Sequence, residues 1–144
     1  MRHVSFLRLA ALALVVGGAL AGCGSSGGPQ RHAASVLVRE RDFRILVSPT
    51  RIPAGPVRLT IRNAGPADHE LIVVRARRVG LPLRTDGLTV DEQGLAHSTL
   101  ASLEPAGPGA VRHLDLDLKP GSYELFCNMA GHYMGGMRAF LVVT

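Results

Sequence analysis

Cys127, His132 and Met137 follow one another as C-x4-H-x4-M near the C-terminal end of the chain, and a single upstream histidine, His69, is the candidate fourth partner. One thiolate, two imidazoles and one thioether form a donor set in which soft sulfur favours Cu(I) and nitrogen suits Cu(II). A geometry between those two preferences passes one electron with little rearrangement. The residues therefore point to electron transfer rather than substrate turnover. With six His and four Met in 144 residues, chance would place His at +5 and Met at +10 on the order of once in a thousand trials.

Three donors from one short loop must converge on one ion, which demands tight backbone reversal, and Gly131, Gly135 and Gly136 supply it. Such a loop has to hang between two strands, 122–127 before it and 138–144 after it. His69 opens a different candidate strand, 69–77, after a turn at 63–68, so the site depends on the fold. Further strands are expected at 35–47, bent or broken at 40–42, and at 57–63 and 111–118. Val57, Leu59 and Ile61 share one face, and Leu114, Leu116 and Leu118 alternate with Asp115 and Asp117.

Proline and glycine separate these segments at Ser48-Pro49, Pro53-Ala54-Gly55-Pro56, Asn63-Ala64-Gly65-Pro66 and Lys119-Pro120-Gly121-Ser122. No long amphipathic helix and no internal repeat is visible. The pattern predicts an all-β, antiparallel sandwich or barrel. Between 78 and 109 it loosens into an excursion over the surface, with room for a short helix or an added strand around 97–103.

Other readings of the same residues are weaker. Met129 and Met134 compete with Met137 for the thioether role, but Met134 lies two residues past His132 and joint ligation would strain the backbone. Loop methionines also suit Cu(I) capture, so a copper-scavenging lipoprotein or metallochaperone stands as the second reading. Structural zinc usually takes several cysteines or a Cys2His2 set. His97 and His113 lack a neighbouring ligand pattern and read as surface or hydrogen-bonded residues. A cysteine hydrolase built on Cys127 would lack a third group and leave Met137 unexplained. The chain is read as a non-enzyme.

The 144 residues, 47% hydrophobic but only 4% aromatic, suffice for one folded domain. Setting Arg2 and Arg8 aside from the 16 basic residues leaves 14 against 11 acidic ones, a net charge of +3. Lys119 is the only lysine, and the arginines are spread rather than clustered, which gives nucleic-acid binding little support. A disulfide between Cys23 and Cys127 is not expected, because each cysteine has a separate role.

Residues 1–22 have the layout of a secretory signal: arginines at 2 and 8, an apolar stretch at 9–20, then small residues. The ending Leu20-Ala21-Gly22-Cys23 resembles the lipobox of bacterial lipoproteins, in which the cysteine is lipidated and becomes the mature N-terminus. Two or three acyl chains anchor a protein stably at a bilayer. Residues 23–34, rich in Gly and Ser, read as a flexible tether reaching roughly 15–20 Å. The expected location is the extracytoplasmic face of a bacterial membrane, on the periplasmic side or at the cell surface.

Over residues 35–144 the sequence resembles the cupredoxins, the small blue-copper electron carriers, with a loop spacing similar to that of rusticyanin and sulfocyanin-type members. The stretches Val57-Arg58-Leu59-Thr60-Ile61-Arg62-Asn63-Ala64-Gly65 and His69-Glu70-Leu71-Ile72-Val73 are similar as well. The resemblance implies an eight-stranded Greek-key sandwich holding one type 1 copper ion. By position, His69 is the first imidazole ligand, Cys127 the thiolate, His132 the second imidazole and Met137 the weak axial thioether. Many cupredoxins carry Asn or Ser after the first His, where the side chain braces the copper loop. Glu70 stands there in this chain, an acid able to accept loop N–H bonds and whose charge favours Cu(II). A binuclear centre of the oxidase type requires a second cysteine four residues after the first, and that position is Gly131. The implied partners of the monomer are redox proteins such as a cytochrome or a terminal oxidase, met through a loop patch of Met129, Ala130, Tyr133 and Met134.

Overall fold

A computed structural model describes residues 32–76 and 80–144. The expected signal peptide at 1–22, Cys23 and the tether up to residue 31 lie outside the described residues. Nine strands are present: β1 (Ala34–Arg41), β2 (Arg44–Ser48), β3 (Arg51–Ile52), β4 (Gly55–Asn63), β5 (His69–Arg75), β6 (Thr99–Ala106), β7 (Val111–Leu118), β8 (Gly121–Phe126) and β9 (Arg138–Val143). One helical turn, α1 (Glu92–Leu95), precedes β6. The strands form two sheets, of order β2-β1-β4-β7 and β3-β9-β8-β5-β6.

The expected antiparallel sandwich is corrected in one respect: β1 pairs with β4, and β3 with β9, in parallel, so both sheets are mixed. An alternating strand buries one face whichever way its neighbour runs, so the hydrophobic pattern carries no direction. The chain leaves the first sheet for β3 and comes back for β4, and this crossover lets β4 run parallel to β1. Strand β3, only two residues long, lies beyond the expected set, while β6 is the added strand for which 97–103 left room.

Alternation builds the core as expected. Val57, Leu59 and Ile61 of β4 are buried against Leu71 and Val73 of β5 and Leu125 of β8, within one cluster that spans both sheets. Strand β5 is apolar on both faces because both are covered. Ile72 and Val74 point away from the sandwich and pack under Leu81, Val90 and Leu95. The segment read as a loose excursion is therefore a cover for the outer face of the second sheet. It ends in β6, an edge strand containing Pro105 with no fully buried position, which is why its signal in the sequence is faint.

Asn63 ends β4, fully buried, and its side chain closes the turn into β5. Its Nδ2 donates to the carbonyls of Ala67 (2.8 Å) and Ala106 (2.9 Å), and its Oδ1 accepts the N–H of Gly65 at 2.9 Å. These three bonds fix where β5 begins, and hence where His69 stands. Asn63→Ala strips partners from two carbonyls and one N–H. At about 1–3 kcal/mol per unsatisfied buried group, partly relieved by water, the expected loss is about 2–4 kcal/mol. Urea unfolding checks this, and a loss below about 1 kcal/mol would mean the turn holds itself without the side chain.

Candidate metal centre

The antiparallel register that pairs Ile72 with Phe126 carries the start of β5 alongside the residues that follow β8. His69 and Cys127 are both completely buried there. The chain then reverses through Gly131 (φ 80°) and Gly136 (φ 100°), left-handed positions that glycine adopts without strain. The reversal brings His132 Nδ1 to 3.4 Å from Cys127 Sγ. The His69 and His132 rings meet edge to face at 5.3 Å, and one donor atom each from His69, Cys127 and His132 lie within 4.8 Å of one another. Met137, fully buried in the same core cluster as Cys127, closes the loop: its carbonyl accepts the Cys127 N–H at 3.1 Å and its N–H donates to the His132 carbonyl at 2.9 Å.

The donors suit a metal ion. Both ring nitrogens of His69 are buried without a hydrogen-bond partner, although buried polar atoms are nearly always paired. Burial, and then the charge of a protonated His132, hold His69 below the ordinary histidine value, with Asp42 opposing; the neutral ring is the ligating form. Burial pushes the Cys127 thiol up, and the N–H groups of Met129 and Glu70 partly offset this. A cation at the centre reverses that balance by favouring the thiolate.

Glu70 braces the loop, its Oε1 accepting the Asn128 N–H at 2.9 Å. Burial and then Glu92 push this carboxyl up, while the Asn128 hydrogen bond lowers it. Asn128 itself escapes the sequence reading, since a lone Asn after Cys matches no motif. Its Oδ1 accepts the Val90 N–H at 2.6 Å, and its Nδ2 donates to Val90 O (3.1 Å) and Glu92 Oε1 (2.7 Å). Gly131 N–H donates to Leu88 O at 3.0 Å. The cover over the second sheet is thus stapled to the ligand loop at two points.

The tip of the β1–β2 hairpin adds two more residues, Asp42 and Phe43, at a place the sequence marks only as a bend. Asp42 Oδ1 lies 3.1 Å from His69 Nε2, outside hydrogen-bond alignment. The Phe43 ring meets His132 edge to face at 5.5 Å. Phe43 has φ 60°, a conformation that costs a bulky residue about 1–3 kcal/mol. A Cβ at Gly65 would stand 2.9 Å from both Asp42 Oδ1 and His69 Nε2, and one at Gly135 would overlap the Phe43 ring. Bare glycine lets the hairpin close over the ligands.

One expectation for the loop surface is corrected. Tyr133 is buried: its ring packs edge to face on Phe126 at 5.4 Å, and its hydroxyl lies 3.2 Å from Glu124 Oε1 and 2.8 Å from Arg138 Nη1. An aromatic with a satisfied hydroxyl serves as an interior anchor. Met134 and Ala130 are exposed and Met129 is half-buried, while His97 and His113 are exposed, as expected for residues with no part in the cluster.

No family model and no curated protein matches the sequence. Solved structures do. Auracyanin B superposes with a TM-score of 0.58 at 24% identity, covering 80% of this chain and 91% of its own. Auracyanin A, a "blue" copper protein from Chloroflexus aurantiacus, gives a TM-score of 0.57 at 17% identity over 78% of this chain and 100% of its own. Rusticyanin from Thiobacillus ferrooxidans gives 0.56 at 15% identity over 78% and 79%. These superpositions agree on one architecture: the chain has the cupredoxin fold.

Proposed function

We propose that this is a mononuclear type 1 copper protein that carries single electrons between extracytoplasmic redox partners, held at the membrane by lipid on Cys23. One observation carries the copper reading: donor atoms of His69, Cys127 and His132 within 4.8 Å of one another, with both His69 nitrogens buried and making no hydrogen bond. These three would be the strong ligands and Met137 would add a weaker thioether. Bound in such a donor set, copper supplies a one-electron couple. The chain contributes fixed donors and exclusion of water, since His69, Cys127 and Met137 are all fully buried.

The same burial favours an electron carrier over a metallochaperone, whose donors have to meet an acceptor at the surface. It also disfavours Cys127 and His132 as a nucleophilic pair, despite their 3.4 Å separation. A nucleophilic cysteine needs access and a depressed pKa, whereas this thiol is shielded and pushed up. Likeness to auracyanins, one of them a "blue" copper protein, and to rusticyanin supports the reading, and a cytochrome or a terminal oxidase is the class of partner that the resemblance of the sequence implies. Attachment rests on Leu20-Ala21-Gly22-Cys23, because a lipidated cysteine with two or three chains stays at the bilayer.

The copper-loaded full-length protein is expected to show an intense visible thiolate-to-Cu(II) band and to cycle reversibly, and Cys127→Ser to abolish the colour. A colourless Cu(II) complex, or preference for Cu(I) with transfer to an acceptor, decides for the metallochaperone instead. Met137→Leu should keep copper bound while shifting the spectrum and potential, because a thioether would be the weakest of the four ligands. If Met134→Leu shifts them and Met137→Leu does not, the assignment of the thioether to Met137 is wrong. Cys23→Ala should move the protein from the membrane to the soluble fraction; retention at the membrane in a cell-fractionation assay would count against lipidation.

A further inference from the structure

We propose that the tip of the β1–β2 hairpin is the docking face of this carrier and receives an acidic surface of its redox partner; the inference rests on the copper reading above. Four exposed arginines stand at this end of the first sheet. Arg41 pairs directly with Arg44 across the hairpin, and Arg39 lies between Leu46 on one side and Arg62 on the other. Among the described residues none of the four has a carboxylate within ion-pair distance, unlike Arg58, Arg112 and Arg138. The two acids adjacent in sequence are engaged elsewhere: Glu40 is buried against Arg112, and Asp42 is turned toward His69.

Like charges directly opposed across a ladder destabilise it, so the Arg41–Arg44 pair does not serve the hairpin's own stability. Between them Phe43 is held in a left-handed conformation and left 53% exposed. Three unfavourable features coincide at one turn, and its aromatic ring touches His132, whose Nδ1 is 3.4 Å from Cys127 Sγ. Strain and exposed apolar surface gather where a binding partner compensates them. Beside Phe43 a depression of about 490 Å³ is lined by Arg41, Arg44, Pro66 and Gly135 together with Asp42, whose carboxylate is engaged by His69.

An anionic membrane would also attract these arginines. However, the chain enters β1 at Ala34, and its eight residues carry Arg41 roughly 23 Å from that end. Headgroups over Phe43 would also cover the contact to His132. A soluble acidic face fits both the charge and the electron path.

The test uses the full-length copper protein with two small redox reagents, anionic hexacyanoferrate(II) and cationic hexaammineruthenium(II), at low ionic strength. Arg41→Glu/Arg44→Glu is compared with Arg51→Glu/Arg58→Glu, which changes net charge equally at the other end of the strands. With an unchanged visible spectrum in both, the hairpin variant should react at least about tenfold more slowly with the anion and faster with the cation, while the far-end variant changes less than about twofold. Equal slowing in both variants overturns the proposal. Poly-L-glutamate added to the metal-free protein should shift amide signals of residues 39–46 and Arg62, and shifts elsewhere count against the face. This readout needs no copper, so a missing visible band defeats the copper reading while the shift map still decides the acidic docking face. If the hairpin variant instead loses binding to phosphatidylglycerol vesicles with its anion rate intact, the face is a lipid contact and the proposal fails.

Discussion

The cluster of His69, Cys127 and His132 exists only because β5 and β8 are paired in one register. Ile72 opposite Phe126 puts Glu70 beside Asn128 and His69 beside the loop that follows Cys127. In a sheet a slip of one residue turns every side chain to the other face. His69 would leave the sandwich interior if β5 slid, and Cys127 would change places with Phe126 if β8 did. The register is held by burial on both faces of β5, with Leu71 and Val73 inside the sandwich and Ile72 and Val74 under the cover formed by Leu81, Val90 and Leu95. The hydrophobic effect on two sides of one strand thus positions a polar ligand at its end.

Site and core are continuous rather than adjacent. Cys127 and Met137 belong to the same buried cluster as Leu59 and Leu125, so two sulfur donors are packed as core side chains are. Dense packing resists displacement, and a donor set that does not move between oxidation states suits one-electron exchange. The bond pattern adds to this: backbone contacts join Cys127 to Met137 and Met137 to His132, while Glu70 and the Asn128 side chain hold the loop from two directions.

How much of this was legible follows from which interactions leave a periodic trace. The C-x4-H-x4-M spacing and the alternation of β4 and β7 are local, and they place the ligand loop and most strands to within a residue or two. Parallel pairing of β1 with β4 is a property of the path between sheets, which alternation does not encode. Strand β6 was faint because an edge strand with Pro105 has no buried row to show. Asn128, Asp42 and Phe43 act through contacts made only on folding, 38 residues away in sequence for Asn128 and Val90. Tyr133 was misplaced to the rim because its partners, Glu124 and Arg138, lie on the strands flanking the loop and pull its hydroxyl inward.

The charges around the centre are arranged in two opposing layers. Asp42, 3.1 Å from His69 Nε2, and Glu70, one residue from His69, put carboxylates close to the ligands, where negative charge favours the more positive state of a bound ion. Arg39, Arg41, Arg44 and Arg62 lie farther out and solvated, where screening weakens their effect at the centre but leaves their field at the surface. Distance therefore separates two effects: the inner acids act on the field at the ligand cluster, and the outer arginines on the field at the surface. Phe43 stands between the layers, and its left-handed backbone is the local cost of setting one aromatic ring against His132 while two arginines face outward beside it.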